Sequence, residues 1–546
     1  MAVGRGVIRR PGCALAVGAL RWGMAIPPRT SDSGIADLSF AHLQWVVSID
    51  SQSDELSDAI PTTEGQRTLA AALAGFYEDL GATVEQDAFA NVLAWLPGRG
   101  VLAAGRPVAL AVHLDTARGT QAVPRLHVVK AWDGSRIPYP KNPMIQVDSA
   151  HYPALAAWVG HDIIHGEGDF PFGLDDKLGL THCMTLAKLL AAHPEVPHPP
   201  LVLVARPDEE VGRHAAVVAL AKLFAERGVA YGYTVDGILP FEVNVENFNA
   251  AGTSVTFSEP APGPTPDGAL WVAHVGGVNT HGATAAAEGH RAAPRLVAEW
   301  RALVAPEDAV FTGFVSDALR DCDAVVHVRV REGAAERVTA ALNAVMAPHL
   351  PRGASFTFAL AISGDVADSG AASVGADDAN VEPMLRWLSE FYASNPGFPL
   401  GCEDSAGREG YSHPYRARTT ESGLRLDIRI RDFDPQQLAV RVEHVRALAG
   451  AREFSAVDQY VNMGPRLAGR PELVDIARSA AADVGVPVLI APIRGGTGVD
   501  PFLDEDIPIA NLGTGYFAPE SEKELTSKQL LVAHAKWLFA MVQRLQ

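Results

Sequence analysis

Apolar residues recur three and four positions apart in four long stretches, and this spacing predicts amphipathic helices over residues 38–49, 67–81, 178–193 and 214–228. Between them lie short, almost wholly apolar runs such as VALAV and LVLVA, which are typical of strands buried on both faces of a sheet. Strands of this kind alternating with helices predict an α/β fold. Residues 118–172 break the alternation and predict a long excursion that contains a small hairpin.

Polar residues follow three of the predicted buried strands directly. His113 and Asp115 follow the first, Glu209 and Glu210 follow the second, and Asp236 ends the third. Functional groups of α/β sheets collect at the carboxyl ends of the strands. Residues two apart in an extended chain share a face, so an imidazole can bind a metal there while the carboxylate orients it. Of two adjacent glutamates, one can bind the ion while its neighbour accepts a proton from water.

A further pair of carboxylates, Asp175 and Asp176, lies between glycines in FGLDDKLG, just before an apolar helical run. A carboxylate at the start of a helix can bridge two cations, because each oxygen can face a different ion. Read singly, each of these patterns also fits a solvated loop. Together they favour a metal centre, and oxygen ligands with one imidazole suit zinc, manganese or cobalt.

Composition narrows the class of protein. A chain of 546 residues predicts two or more domains. The net charge of −19 argues against a nucleic-acid partner, and no apolar run has the ~20 residues needed to cross a membrane. The four cysteines are far apart and form no CxxC pair, which argues against a thiolate zinc site or a disulfide framework and fits a reducing cytoplasm.

The basic segment 1–37 is predicted to be a disordered leader, with a secretory signal peptide as the alternative. Two later stretches, 323–350 and 424–450, share one pattern. Each is an alternating strand followed by a helix of similar length, which predicts a duplicated strand–helix unit.

Several longer motifs carry a family resemblance. They include PTTEGQ, YTVDG running on to VENFNAAG, IRDFD, VNMGPRL, PIRGGTG and NLGTG, in this order from residue 61 to residue 515. With GLDDKLG and PDEE, this set resembles the peptidase T branch of the di-zinc aminoacylase and carboxypeptidase superfamily. The resemblance implies a mixed-sheet catalytic domain built from residues 38–246 and 458–546. An α+β lid, residues 247–457, would be inserted between the two parts and would form a homodimer.

The resemblance also implies roles for individual residues. One ion would be held by His113, Asp175 and Asp236, and the second by Asp175 and Glu210. Glu209 would be the general base, and Asp115 would orient His113. The family's last ligand is a histidine four residues before a glutamate. Counting back from Glu524 gives Glu520, so a carboxylate replaces that imidazole, and manganese or cobalt becomes an alternative to zinc at the second site.

In the family, a lid histidine stabilises the oxyanion in the partner's active site. His281 in NTHGAT matches it, with His274 and His290 as nearby alternatives, while Arg431 and Arg494 match residues near the substrate carboxylate. The implied function is an exopeptidase that removes the N-terminal residue of short peptides, using a metal-bridging water and Glu209. Two alternatives remain: an amidase or deacylase of N-acyl amino acids, or a homologue that has lost catalysis with its histidine and only binds peptides or amino acids.

Overall fold

A mixed sheet of eight strands forms the centre of the structure, a computed structural model that describes residues 31–258, 267–278, 291–316, 322–361, 378–394 and 410–546. In spatial order the strands are β1 (Thr83–Gln86), β2 (Val92–Leu96), β6 (Leu201–Arg206), β3 (Val108–His113), β7 (Tyr231–Gly237), β18 (Ile509–Gly513), β8 (Glu242–Asn244) and β17 (Leu489–Ile490). Strands β6, β3, β7 and β18 are parallel neighbours. Every residue of β3 and β6 is buried, as the apolar runs predict. The predicted mixed α/β fold is confirmed.

Helices pack against this sheet through one large hydrophobic cluster. Along the chain they are α1 (Asp32–Val46), α2 (Glu64–Glu78), α3 (Leu174–Ala192), α4 (His214–Arg227), α9 (Gly464–Leu467), α10 (Glu472–Val484), α11 (Asp500–Asp504) and α12 (Lys528–Val542). The predicted disordered leader, residues 1–37, is too long at its C-terminal end, because α1 begins at Asp32. Its start is capped by the Ser31 side chain, and Ile35 is already buried against α12 and α3.

The excursion between β3 and α3 contains β4 (His127–Val129) and β5 (Ile163–His165), which pair antiparallel. Residues 130–162 separate these strands, so they do not form the small hairpin that the sequence predicts. A third strand, β19 (Leu525–Ser527), joins β5 from the C-terminal part of the chain. This three-stranded sheet brings the loop after β18 next to the turn that precedes α3. Two segments more than 300 residues apart in sequence thereby meet at one place.

Two four-stranded sheets lie between β8 and α9 in the chain. The first has the order β11 (Ala309–Ser316), β12 (Ala324–Val330), β10 (Ala269–Gly276), β13 (Ser355–Leu360). The second has the order β14 (Tyr411–Thr420), β15 (Gly423–Asp432), β9 (Asn249–Phe257), β16 (Glu453–Tyr460). Their helices are α5 (Ala293–Leu303), α6 (Ala335–Met346), α7 (Val381–Ala393) and α8 (Pro435–Ala449). The predicted strand–helix units are β12 with α6 and β15 with α8.

These sheets have a hydrophobic cluster of their own, made of residues between Ala251 and Ala449, whereas the cluster of the large sheet uses residues before and after that segment. This separation supports the lid over residues 247–457 that the resemblance implies, and the domain bounds remain a prediction. None of the helices in the described ranges has the length and apolar composition that spanning a membrane requires.

Candidate metal centre

His113 is the residue around which the candidate site is built. It ends β3, between the parallel strands β6 and β7, so its ring projects from the carboxyl edge of the sheet. Its Nε2 lies 2.9 Å from Asp175 Oδ1 and 3.3 Å from Asp236 Oδ1. His113, Asp175 and Asp236 are predicted to share one ion. They come from three separate segments, and both carboxylates lie next to the same imidazole nitrogen.

Two groups of donor atoms in the described residues could each hold a cation. Within each, the donor atoms lie within 4.8 Å of one another: His113, Asp176 and Asp236 in the first, and His113, Asp175 and Glu210 in the second. Glu210 Oε1 is buried and has no hydrogen-bond partner. A buried carboxylate oxygen without a donor is costly unless a cation faces it. The residues present therefore fit a divalent metal.

Crowded negative charge shows in the pKa values of these groups. Burial, helped by the charges of Glu520 and Asp175, raises the pKa of Glu210 well above its usual range. Burial likewise raises the pKa of Asp236, with Asp175 adding to it. Burial lowers the pKa of His113, but the surrounding carboxylates, Asp236 first, outweigh it and raise that pKa. A cation would relieve this repulsion.

The two adjacent aspartates at the start of α3 have different partners. Both oxygens of buried Asp176 accept backbone hydrogen bonds, from His113 N at 3.1 Å and from Gly179 N at 3.0 Å. Asp175 instead faces side chains: Oδ1 faces His113, and Oδ2 accepts a hydrogen bond of 2.9 Å from the Tyr516 hydroxyl. This difference supports Asp175 as the bridging ligand, which remains a prediction.

Asp115 contacts His113 and also holds the loop that carries Glu209 and Glu210. His113 Nδ1 donates a hydrogen bond of 2.9 Å to the Asp115 backbone carbonyl, and the Asp115 carboxylate is 3.4 Å from that nitrogen. The carboxylate oxygens accept hydrogen bonds from the backbone N–H groups of Glu209 at 2.9 Å and Glu210 at 3.1 Å. Asp115 thus ties the loop after β6 to the end of β3.

Residues of the PTTEGQ motif hydrogen-bond to the same loop after β6. Thr62 and Gln66 donate side-chain hydrogen bonds of 2.6 and 2.7 Å to Asp208 Oδ1, and Asp208 N donates to Gln66 Oε1 at 3.0 Å. Thr63 is at the N-cap position of α2 and makes no side-chain cap hydrogen bond. Thr62 helps to hold Asp208, which has a left-handed backbone conformation at φ 55°.

Glu209, the predicted general base, has a cationic partner that the sequence pattern did not reveal. Arg206 Nη2 lies 3.3 Å from Glu209 Oε1, and the Arg206 side chain is only 5% exposed. Gly498 borders this pair, since a Cβ there would lie 2.1 Å from Arg206 Nη2 and 3.0 Å from Glu209 Oε1. In the sequence, only the three-residue spacing between Arg206 and Glu209 at the end of β6 could have indicated this pair.

Comparisons with known proteins show what the whole chain is similar to. No model of a known family matches the chain. The chain is 26% identical over 514 residues to peptidase T of Exiguobacterium sibiricum, covering 91% of this chain and 95% of that protein. A peptidase T of another Exiguobacterium strain is 34% identical over 219 residues, which are 39% of this chain and 52% of that protein. Over most of its length, this chain is therefore similar to curated peptidase T proteins.

A solved structure supports the same fold. A tripeptidase from Staphylococcus aureus superposes with a TM-score of 0.51 at 14% sequence identity, covering 93% of this chain and 99% of that one. The loop after β18 carries Glu520, whose charge helps to raise the pKa of Glu210. Glu520 belongs to neither group of converging donor atoms, so its role as a ligand remains a prediction.

The two predicted substrate arginines lie beside one aromatic cluster of Phe248, Tyr411, Phe433 and Tyr460. The guanidinium of Arg431 is 5.2 Å from the ring centroid of Tyr460, and that of Arg494 is 5.3 Å from the centroid of Phe248. His281 and His290 lie outside the described residues. The third candidate, His274, is exposed on β10. The oxyanion role of His281 and the homodimer remain predictions.

Proposed function

We propose that this peptidase T-like protein is a metal-dependent exopeptidase that removes the N-terminal residue of short peptides. The observation that carries the proposal is the position of Glu209. Its backbone N–H is held by Asp115, beside the group of His113, Asp175 and Glu210, whose donor atoms lie close enough together to hold a divalent metal. A proton acceptor next to a cation site is what hydrolysis of an amide by water requires.

The chain's residues divide the work as follows. His113, Asp175, Asp236 and Glu210, with Glu520 as the candidate last ligand, would hold two divalent ions, zinc or, at the second site, manganese or cobalt. When bound, such ions lower the pKa of water and polarise a carbonyl. Glu209 accepts the proton of the attacking water and returns it to the leaving amine as the C–N bond breaks. Arg206 holds Glu209 Oε1 on the side of Gly498, and Arg431 and Arg494 bind the substrate's carboxylate.

A matched pair of variants tests the proposal. Glu209→Gln keeps the shape and the backbone contact to Asp115 but cannot accept a proton. We expect kcat for a tripeptide to fall by about 10²–10⁴, with unchanged metal content by elemental analysis. Glu226→Gln, at an exposed position of α4, should leave kcat unchanged. Full tripeptide hydrolysis by Glu209→Gln would rule out this role for Glu209.

The same assay separates the alternatives. Hydrolysis of N-acyl amino acids without tripeptide hydrolysis would favour a deacylase. Chelator-insensitive peptide binding by a protein with almost no metal would favour a binding homologue.

A further inference from the structure

Five arginines share one face of the sheet β14–β15–β9–β16. Residues two apart on a strand point the same way, so Arg425, Asp427, Arg429 and Arg431 lie together on β15. Arg416 and Arg418 on β14 face Asp427 and Arg425 directly across the strand pair, and directly opposed residues lie on the same face. The intervening residues of β15 pack into the hydrophobic cluster on the other side of the sheet: Leu424, Leu426, Ile428 and Ile430.

The charge on this face is strongly unbalanced. The five arginines share this face with two carboxylates of the described part of the sheet, Asp427 and Glu453, the latter on the far strand opposite Thr256. A third carboxylate, Glu55, pairs with Arg416 from outside the sheet. Asp427 alone contacts three of the arginines, at 2.8 Å from Arg425, 2.9 Å from Arg416 and 3.6 Å from Arg418. In a chain of net charge −19, this excess of positive charge is a local feature.

The middle of the face is shallow. The residues of β9 that share it are small: Ala250, Gly252, Ser254 and Thr256. Ala250, Ser254 and Thr256 are at most 5% exposed, and a Cβ placed on Gly252 would meet only the Gln459 side chain, no nearer than 3.3 Å, so these small residues form a floor below the arginine side chains. The result is a trough with arginines along one wall and β16 along the other.

One end of the trough lies at the metal centre. Arg431, the last of the row, stacks over Tyr460, whose ring lies against Gly496 in the PIRGGTG loop. Gly498, two residues further along the same loop, borders Arg206 and Glu209, so this end of the trough lies beside the proposed base. Along the trough, Arg416 also pairs with Glu55, a residue of the loop before α2 that Arg118 contacts at 2.8 Å.

We propose that Arg416, Arg418, Arg425 and Arg429 make this trough a binding site for carboxylates of the substrate beyond the scissile bond, so that short acidic peptides are preferred. The inference rests on the proposed exopeptidase function and names its substrate class. Guanidinium groups bind carboxylates through paired hydrogen bonds. Arg425 is 37% exposed, so its head group is accessible to a ligand.

The test compares two tripeptides of equal shape, Ala-Glu-Glu and Ala-Gln-Gln. We expect kcat/KM to be about tenfold higher for the acidic peptide at low salt, with the preference shrinking as NaCl is added. Arg425→Gln and Arg429→Gln should each reduce the acidic-to-neutral ratio several-fold. Arg478→Gln on α10 removes the same charge at a position 58% exposed and should leave the ratio unchanged. Equal kcat/KM for both peptides, or a ratio that neither trough variant lowers, would overturn the inference.

A binding measurement separates this inference from the proposed function. The probe is all-D triglutamate, which resists hydrolysis, titrated into the wild type and both trough variants by calorimetry. Salt-sensitive binding that weakens several-fold in both variants supports the trough, even if no tripeptide is hydrolysed. Hydrolysis of neutral tripeptides without binding of the probe would leave the exopeptidase proposal intact and refute the trough.

Discussion

The Glu524 carboxylate accepts a hydrogen bond of 2.8 Å from the backbone N–H of Gly173, a residue 351 positions earlier in the chain. The same oxygen also accepts from Phe172 at 2.9 Å and from Leu174 at 3.3 Å, while the other oxygen accepts from Glu520 N at 2.9 Å. One buried carboxylate therefore joins the turn before Asp175 to the loop that carries Glu520. A carboxylate at the start of a helix is also favoured by the helix dipole.

Replacing this carboxylate should destabilise the protein. Glu524→Ala leaves four backbone N–H groups without an acceptor, and each buried unsatisfied donor costs about 1–3 kcal/mol. We expect the free energy of unfolding to fall by about 3 kcal/mol or more, measured by urea denaturation. Glu524→Gln keeps one acceptor oxygen and should lose less. A loss below about 1 kcal/mol for Glu524→Ala would contradict the assigned role.

A methyl group at Gly498 should impair catalysis without removing a catalytic residue. Gly498 has φ 57°, and its added Cβ would strike Arg206 Nη2 and displace the partner of Glu209. Misplacing a reacting group by about 1 Å can cost ~10²-fold in rate. We expect Gly498→Ala to lower kcat for a tripeptide at least tenfold, while metal content stays constant.

The matched control for that variant is Gly469→Ala, because a Cβ at Gly469 meets nothing within 4 Å. Its kcat should equal that of the wild type. If Gly498→Ala were as active as this control, the contact between Arg206 and Glu209 would have no part in positioning the base.

Glu520→His tests the predicted last ligand. The change removes a charge that helps to raise the pKa of Glu210 and supplies an imidazole, which suits zinc better than an added carboxylate does. We expect the variant to retain a higher ratio of zinc to manganese than the wild type after dialysis against both ions, measured by elemental analysis. Glu505→His at an exposed position is the control. Identical metal ratios in all three proteins would exclude Glu520 as a ligand.

Glu242 should make stability depend on pH. Burial raises the pKa of this carboxyl to about 7 from a usual 4.5, so between these values the folded state binds more protons than the unfolded state. Stability is therefore highest near pH 4.5 and falls as pH rises towards 7, by up to about 3 kcal/mol. Glu242→Gln removes the charge and keeps an acceptor for Leu239 N.

The free energy of unfolding of Glu242→Gln is compared with that of the wild type at two pH values. The variant should match the wild type near pH 4.5 and be more stable at pH 8, by urea denaturation. Glu226→Gln should leave the pH profile unchanged. An equal stability of Glu242→Gln and wild type at pH 8 would show that the carboxyl ionises without cost.

Local sequence patterns predict much of the fold. The apolar runs of β3 and β6 can be stable only where both faces are covered, and this requirement predicts a sheet flanked by helices. Functional side chains at the ends of such strands must then meet at one edge. His113, Asp236 and Glu210 were found in this way. The alternation along β15 also indicated a strand with one polar face.

The hydrogen-bond partners of residues in and near the site could not be predicted from such patterns. Asp208 depends on Thr62, Asp175 on Tyr516 and Gly173 on Glu524, each pair separated by 146 residues or more. A hydrogen bond of this kind depends on where loops cross after the sheet has formed, which no periodicity records. The same holds for the five arginines, whose shared face required the register between β14 and β15. Sequence alone thus determined the helices and strands and the residues at their ends. Only the tertiary structure decided which side chains contact those residues, because each such contact depends on a few ångströms of distance.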